Sequence, residues 1–190
     1  MQQIYQAYCE ASGKTELPSS YFLASRRAAS VAAIRNREDV REILAQNYSG
    51  TLENLLRTRL GCPTKWMGEV GKLAVNSTDH LDAIMELLQP IMPQLRIQIE
   101  QEQAAYLSYA EQQIGAAEHI AVVDLGYSGT IQYYLTKLLN RKVSGYYLCT
   151  GENVKPRKLG CECMSMYEKT EAADTSSDLI EQSLLLEAAL

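Results

Sequence analysis

What this sequence lacks excludes several classes of protein. Among its 190 residues, no apolar run approaches the roughly 18 residues that a membrane-spanning helix needs. No basic stretch followed by an apolar run stands at its start, so we expect no signal peptide. Basic residues are the minority, with 18 Lys and Arg against 23 Asp and Glu, and the resulting net charge of −5 argues against a protein that coats nucleic acid. We therefore expect a cytoplasmic protein with no membrane span and no nucleic-acid partner.

Metal-binding side chains are also sparse. The chain has two histidines and five cysteines. Cys161 and Cys163 are separated by one residue, whereas the cysteine pairs of zinc knuckles are separated by two, and there is no second pair. An odd number of cysteines without a secretion signal favours reduced thiols over a disulfide framework. The sequence therefore predicts no metal site built from cysteine and histidine.

Phenylalanine and tryptophan occur once each, against 12 tyrosines. Tyrosine suits half-buried positions because its ring is apolar and its hydroxyl is polar. Two adjacent pairs, Tyr133–Tyr134 and Tyr146–Tyr147, are expected to pack one ring inward and to leave the other half exposed.

The spacing of apolar residues predicts an α/β fold. Continuous apolar runs predict a buried strand at 119–125, a second strand at 143–150 and an edge strand at 161–167. The segment 130–139 has helical periodicity, so the first two strands should be parallel and joined by a right-handed crossover. A further short buried strand is predicted at 21–25.

The organisation of the chain follows from this pattern. Residues 1–35 and 115–190 predict a Rossmann-like core of a few mostly parallel strands, and residues 36–114 predict a large all-helical insertion or cap. A final helix is predicted at 178–190. Because that helix has no stop signal and the first helix has no N-cap, we expect the chain to be part of a longer polypeptide.

The strongest candidate site follows the strand at 119–125. That strand ends at Asp124, a small-residue loop of Gly126, Ser128 and Gly129 follows, and Thr130 opens a helix. Glycine allows close backbone approach, and a helix N-terminus directs free N–H groups and partial positive charge at such a loop. In open α/β sheets, loops at the carboxyl ends of strands bind ligands. The segment predicts a phosphate or carboxylate site.

Asp124 suits either a ribose hydroxyl or a magnesium ion in this site. The alternative interpretation is a structural turn in which Asp124 accepts hydrogen bonds from the amides of its own loop.

Arg26 and Arg27 are the second candidate, because they follow the strand predicted at 21–25. If that strand is parallel to the strand at 119–125 and close to it, both strand ends face one crevice. One guanidinium can then clamp an anion through two hydrogen bonds. The alternative is an ordinary surface pair of arginines.

Two well-defined phosphate motifs do not fit the candidate loop. A Walker loop needs a lysine after Gly129, and Thr130 stands there. The nucleophile motif D-x-D-G-T of HAD-type phosphatases needs a second acid, which the stretch from Asp124 to Thr130 lacks. We therefore assign no phosphatase chemistry to Asp124.

Two stretches carry a family resemblance. YFLASRRA, and VVDLGYSGTIQYYL followed by GYYL, resemble a region of large bacterial proteins described as predicted HAD-superfamily hydrolases. Such proteins often accompany glycosyltransferases of cell-surface polysaccharide synthesis. The resemblance implies that this chain is the region following the hydrolase module, that the phosphatase nucleophile lies outside it, and that the protein is bacterial and cytoplasmic.

The same loop has a weaker similarity to phosphoribosyltransferases. In that family a strand, two acids and small residues precede a threonine at a helix start. Val122 to Asp124 and Ser128 to Thr130 match this outline, but Leu125 stands where the second acid would be. The similarity implies a Rossmann-like core and makes a sugar-diphosphate transferase the second hypothesis.

Three functions remain open from the sequence. The first is an accessory domain that binds a phosphorylated sugar or a nucleotide at 122–132, with Arg26 or Arg27 as counter-charge. The second is a phosphoribosyltransferase-like enzyme that uses a divalent metal such as magnesium. The third is a non-catalytic interaction module whose contact surface is the helical insertion.

Overall fold

A computed structural model describes residues 2–125, 128–151 and 154–169. The chain divides into two compact units. One, the sheet unit, comprises residues 1–24, 111–136 and 140–190, and the other, the helical unit, comprises 25–110 and 137–139. The helix predicted at 178–190 lies outside the described residues.

Helices account for most of the regular structure in the described residues. In chain order they are α1 (Gln2–Ser12), α2 (Arg26–Ala32), α3 (Arg37–Leu44), α4 (Leu52–Leu60), α5 (Leu81–Leu87), α6 (Met92–Ile114) and α7 (Thr130–Leu139). The strands are β1 (Ser49–Thr51), β2 (Ala74–Asn76), β3 (Ile120–Asp124), β4 (Val143–Gly151) and β5 (Cys163–Lys169). No helix in the described ranges combines the length and the apolar character needed to cross a membrane.

The sheet unit contains a three-stranded sheet in the order β3–β4–β5. Both pairings are parallel, and α7 connects the first two strands. The α/β class, the three strands and their parallel pairing are therefore confirmed. The prediction that the strand at 119–125 is buried is wrong, because Ala121 is exposed and Val123 is 61% exposed. A short apolar run does not reveal whether both faces of a strand are covered.

The strand predicted at 21–25 is absent. Residues 14–25 have no regular secondary structure, and Tyr21 and Leu23 are exposed. Ser25 instead caps α2, because its hydroxyl accepts a hydrogen bond from the backbone N–H of Ala28 at 3.1 Å. This cap places Arg26 and Arg27 in the first turn of a helix, whereas the sequence pattern predicted them at the end of a strand.

The prediction that residues 36–114 are all helical is also wrong in one part. β1 and β2 form a short antiparallel pair within that segment. Thr51 ends β1 and also caps α4, accepting a hydrogen bond from Asn54 N at 3.3 Å. The strands are only three residues long, which is too short for a periodicity to be recognised against the helical pattern on either side.

The core of the helical unit is built around α4. Its leucines recur at helical spacing, and each is at most 1% exposed. The members of this buried row are Leu52, Leu55, Leu56 and Leu60. α2 and α3 pack against this helix, which ends at Gly61 in the left-handed conformation, with φ of 72°.

A partly buried ion pair stabilises the start of α3. Asp39 belongs to a capping box in which it accepts the backbone N–H of Asn36 at 3.2 Å, and it also accepts that of Arg35 at 2.7 Å. Its other carboxylate oxygen accepts a hydrogen bond from Lys137, and the two side chains are 13% and 19% exposed. Burial alone raises the pKa of Asp39, but the hydrogen bonds and the charge of Lys137 outweigh it and lower the pKa below 3.8.

The first prediction concerns acid stability and the variant Asp39→Asn. Because the pKa of Asp39 is lowered in the folded state, its carboxylate stabilises the fold above its ordinary pKa of 3.8. That contribution disappears as the pH falls through the folded-state pKa. The variant should lower the free energy of unfolding by about 1–3 kcal/mol at neutral pH, as measured by urea denaturation.

The difference between wild type and variant should shrink at the lowest pH at which the wild type stays folded. Asp82→Asn is the matched control, because Asp82 pairs with Arg41 at 2.7 Å but is 87% exposed. An exposed pair contributes little, so this control should change stability by less than about 1 kcal/mol. An equal effect of Asp39→Asn at both pH values would contradict the role given to its ionised carboxylate.

Candidate functional site

The carboxyl ends of β3 and β4 lie at one edge of the sheet, because the two strands are parallel neighbours. β3 ends at Asp124, and α7 begins at Thr130. β4 continues to Gly151 and is followed by a 3-10 turn at Lys155–Leu159. The edge where open α/β sheets bind ligands is therefore formed by the segments after β3 and β4.

Gly129 determines how α7 begins. It is buried and has φ of 64°, a left-handed conformation that favours glycine. A Cβ atom at this position would lie 2.8 Å from the ring carbons of Pro156 and 3.3 Å from the hydroxyl oxygen of Tyr147. Any other side chain is therefore excluded, and the 3-10 turn after β4 packs directly on the start of α7.

The first turn of α7 presents donors and no negative charge. Gly129 is the N-cap and has no side chain to accept a bond from the helix, and the turn contains no acidic residue. Ser128 Oγ and Thr130 Oγ1 lie 2.8 Å apart on either side of it. Helix N-termini carry partial positive charge, so this arrangement favours an anion.

Two basic residues flank Pro156 in the 3-10 turn. Lys155 Nζ lies 5.5 Å from the ring centroid of Tyr133 and 5.8 Å from that of Tyr134, within the range of a cation–π contact. Burial raises the pKa of Cys163, and the charge of Arg157 opposes that rise. Lys155 therefore lies beside the first turn of α7, whereas the charge of Arg157 acts at the start of β5. Neither was predicted as a site residue, although the run KPRK soon after a predicted parallel strand was a usable signal.

Asp124 lies opposite Tyr147 in the strand register and is half-buried. Burial raises the pKa of Tyr147 strongly, and the neighbouring Cys163 and Asp124 raise it further. Tyr147 is therefore a neutral phenol that acts as a donor, and its hydroxyl donates to Gln132 Oε1 at 2.6 Å.

The fully buried side chain of Gln132 connects α7 to the sheet. Its Nε2 donates to the carbonyl oxygens of Val143 at 2.6 Å and Glu162 at 2.8 Å. Its Oε1 accepts from the Tyr147 hydroxyl and, at 3.2 Å, from the thiol of Cys163. The sequence pattern indicated no role for Gln132, because its partners are remote in the chain.

The tyrosine pairs behave as predicted. Tyr134 and Tyr147 are buried, at 2% and 4% exposure. Tyr133 is half-buried and Tyr146 is 42% exposed. The inward rings lie beside the candidate site, where Tyr134 packs edge-on to Tyr133 with ring centroids 5.1 Å apart.

The remaining predicted site residues are placed as follows. Arg26 is exposed, and Arg27 pairs with Glu102 at 3.0 Å. Both arginines belong to the helical unit, whereas Asp124 belongs to the sheet unit. Their role as counter-charge stays a prediction, and the strand expected to carry them is absent. Gly126 lies outside the described residues.

Within the described ranges, no group of three His, Cys, Asp or Glu side chains is arranged to hold a metal ion. Comparisons of the chain with protein-family models, with curated proteins and with solved structures gave no match. The function is therefore inferred from the geometry of the site.

The second prediction tests the close packing of Gly145 against Gln132. A Cβ at Gly145 would lie 2.3 Å from Gln132 Oε1 and 2.5 Å from a ring carbon of Tyr147. Gly145→Ala should lower the free energy of unfolding by about 2 kcal/mol or more, measured by urea denaturation. Gly151→Ala on the same strand is the control, because no atom lies within 4 Å of its added methyl group, and it should change stability by less than about 1 kcal/mol. Equal effects would refute this packing.

The third prediction tests the hydrogen bonds of Gln132. Gln132→Met keeps the approximate shape but removes the donors to Val143 and Glu162 and the acceptor for Tyr147. The free energy of unfolding should fall by about 3 kcal/mol, because buried polar groups lose their partners. Adding Tyr147→Phe should cost less in Gln132→Met than in the wild type, by about 1 kcal/mol. Strictly additive effects in this double-mutant cycle would show that the bond is energetically unimportant.

Proposed function

We propose that this chain is an accessory domain of a larger bacterial cytoplasmic protein, with a Rossmann-like core that binds a phosphorylated sugar or a nucleotide. The phosphoryl group would lie at the start of α7. One observation carries the proposal. α7 begins at a buried, left-handed Gly129, has no acidic residue in its first turn, and has Lys155 and Arg157 on the turn packed against it.

Each part of the site has a role in this proposal. The N–H groups of the first turn of α7 and the hydroxyls of Ser128 and Thr130 donate to phosphoryl oxygens. Lys155, beside Tyr133 in the first turn of α7, supplies positive charge, and a hydrogen bond between charged groups is roughly twice as strong as one between neutral groups.

Asp124 would accept a hydrogen bond from a sugar or ribose hydroxyl, or would hold a magnesium ion. Its half-buried position at the end of β3 supports such a role. Because the stretch from Asp124 to Thr130 lacks the second acid of the HAD phosphatase motif, we assign binding and no phosphatase step to this site. Catalysis would belong to the rest of the polypeptide, as the resemblance to HAD-associated proteins implies.

The fourth prediction tests this site by thermal-shift titration. The probes are inorganic phosphate, phosphorylated sugars and nucleotide sugars, with and without magnesium. A ligand at 100 times its dissociation constant should stabilise the wild type by about 2.7 kcal/mol. Lys155→Ala should weaken binding about tenfold or more, because a charged hydrogen bond is lost. Lys158→Ala, on the same 3-10 turn, is the matched control and should bind as the wild type does.

The remaining outcomes separate the alternatives. If Asp124→Asn removes only the magnesium-dependent part of the stabilisation, Asp124 binds the metal. Metal-dependent turnover of a sugar diphosphate would favour the transferase hypothesis. If no probe stabilises the wild type, binding at this site is refuted and the interaction module becomes the better hypothesis.

A further inference from the structure

One face of the three-stranded sheet carries an exposed group of apolar side chains. Val123, Tyr146 and Met164 are direct neighbours in the strand register and are 61%, 42% and 48% exposed. Met166, farther along β5, is 74% exposed. We call these four residues the open face. Parallel sheets are normally covered on both faces, so a surface of this kind indicates a partner.

The opposite face of the same sheet is covered by α7. There Gly145 and Tyr147 are buried against Gln132. Because side chains alternate along a strand, the residues between them point away from α7. The open face is therefore the face of the sheet opposite the one that packs against α7.

The size of the open face indicates what kind of partner fits it. Three strands about 4.8 Å apart, with five and six residue pairs between neighbours and a rise of about 3.3 Å per residue, form a surface of roughly 15 by 20 Å. Its area of about 300 Å² is well below the roughly 800 Å² per partner of a stable protein–protein interface. A helix about 10 Å wide and about 20 Å long matches it. A single helix is therefore a better occupant than a second copy of the chain.

The chain supplies such a segment directly after the sheet. Residues 170–190 continue from the end of β5 and lie outside the described residues. Positions 170–177 are polar (TEAADTSS), whereas eight of the 13 residues at 178–190 are apolar. A 13-residue helix is about 20 Å long, and the eight-residue link reaches up to about 26 Å. The link is long enough to return the segment along the whole sheet.

We propose that residues 178–190 form a helix that packs on the open face and covers Val123, Tyr146, Met164 and Met166. A helix that is apolar on most sides is normally buried, and the predicted one has Leu184, Leu185 and Leu186 in succession. This proposal does not depend on the phosphate site, which lies at the carboxyl edge of the sheet.

Methionine oxidation measures directly whether the open face is covered. The full chain is treated with hydrogen peroxide, and the oxidation rates of its methionines are followed by mass spectrometry. Met85, which is 3% exposed, is the internal reference for a buried methionine. In the wild type, Met166 should oxidise at least tenfold more slowly than free methionine, and sedimentation should show a monomer.

A triple variant tests whether the C-terminal segment provides that protection. Leu184→Asp, Leu185→Asp and Leu186→Asp together place a charge on three sides of the helix, so one reaches the sheet whatever the rotation of the helix. The oxidation rate of Met166 should rise at least tenfold while Met85 stays protected. Thr175→Asp, Ser176→Asp and Ser177→Asp together add the same charge in the polar link and should leave both rates unchanged.

Three results would overturn the proposal. The first is a wild-type Met166 that oxidises as fast as free methionine. The second is protection of Met166 that persists in the leucine variant. The third is protection that depends on protein concentration together with a dimer in sedimentation, which would assign the face to a second copy. Fast oxidation of Met85 in the triple variant would show that this variant is unfolded. The single variants Leu185→Asp and Leu186→Asp are then measured, and the same criteria apply.

Discussion

The side-chain amide of Gln132 holds α7 against β4 and the start of β5. It is fully buried and uses both its donors and its acceptor, so it connects three segments of the chain in one place. Such an amide stabilises only the arrangement in which every partner is present, because an unpaired buried polar group is costly. Gly145 has to lack a side chain for this amide to fit.

The candidate site depends on this same connection. With α7 held against β4, its first turn lies at the carboxyl edge of the sheet, and Gly129 is close enough to Pro156 to exclude a side chain. That contact brings the basic 3-10 turn to the start of the helix. The helix N-terminus and the basic turn come from two separate segments of the chain. Both favour an anion, and the contact between Gly129 and Pro156 holds them together.

The two faces of the sheet differ in chemical character. The face under α7 contains a polar network, in which Gln132 accepts hydrogen bonds from the Tyr147 hydroxyl and the Cys163 thiol. The other face is apolar and exposed at Val123 and Met166. Buried hydrogen bonds form in only one position and orientation of α7. An apolar face has no such requirement and can pack against any helix of suitable size.

The sequence by itself determined that strands lie near 119–125, 143–150 and 161–167, that a helix joins the first two, and that these two are parallel. In the structure the strands span 120–124, 143–151 and 163–169. Apolar runs and helical periodicity are local signals, and a helical crossover implies parallel neighbours. The tertiary structure decided that residues 21–25 form no strand, that 36–114 contain a short antiparallel strand pair, and that one face of β3 is exposed. It also decided the role of Gln132, whose partners lie 11 to 31 positions away. Strand pairing, burial and these hydrogen bonds depend on residues that are distant in the sequence. A local sequence pattern does not identify such partners.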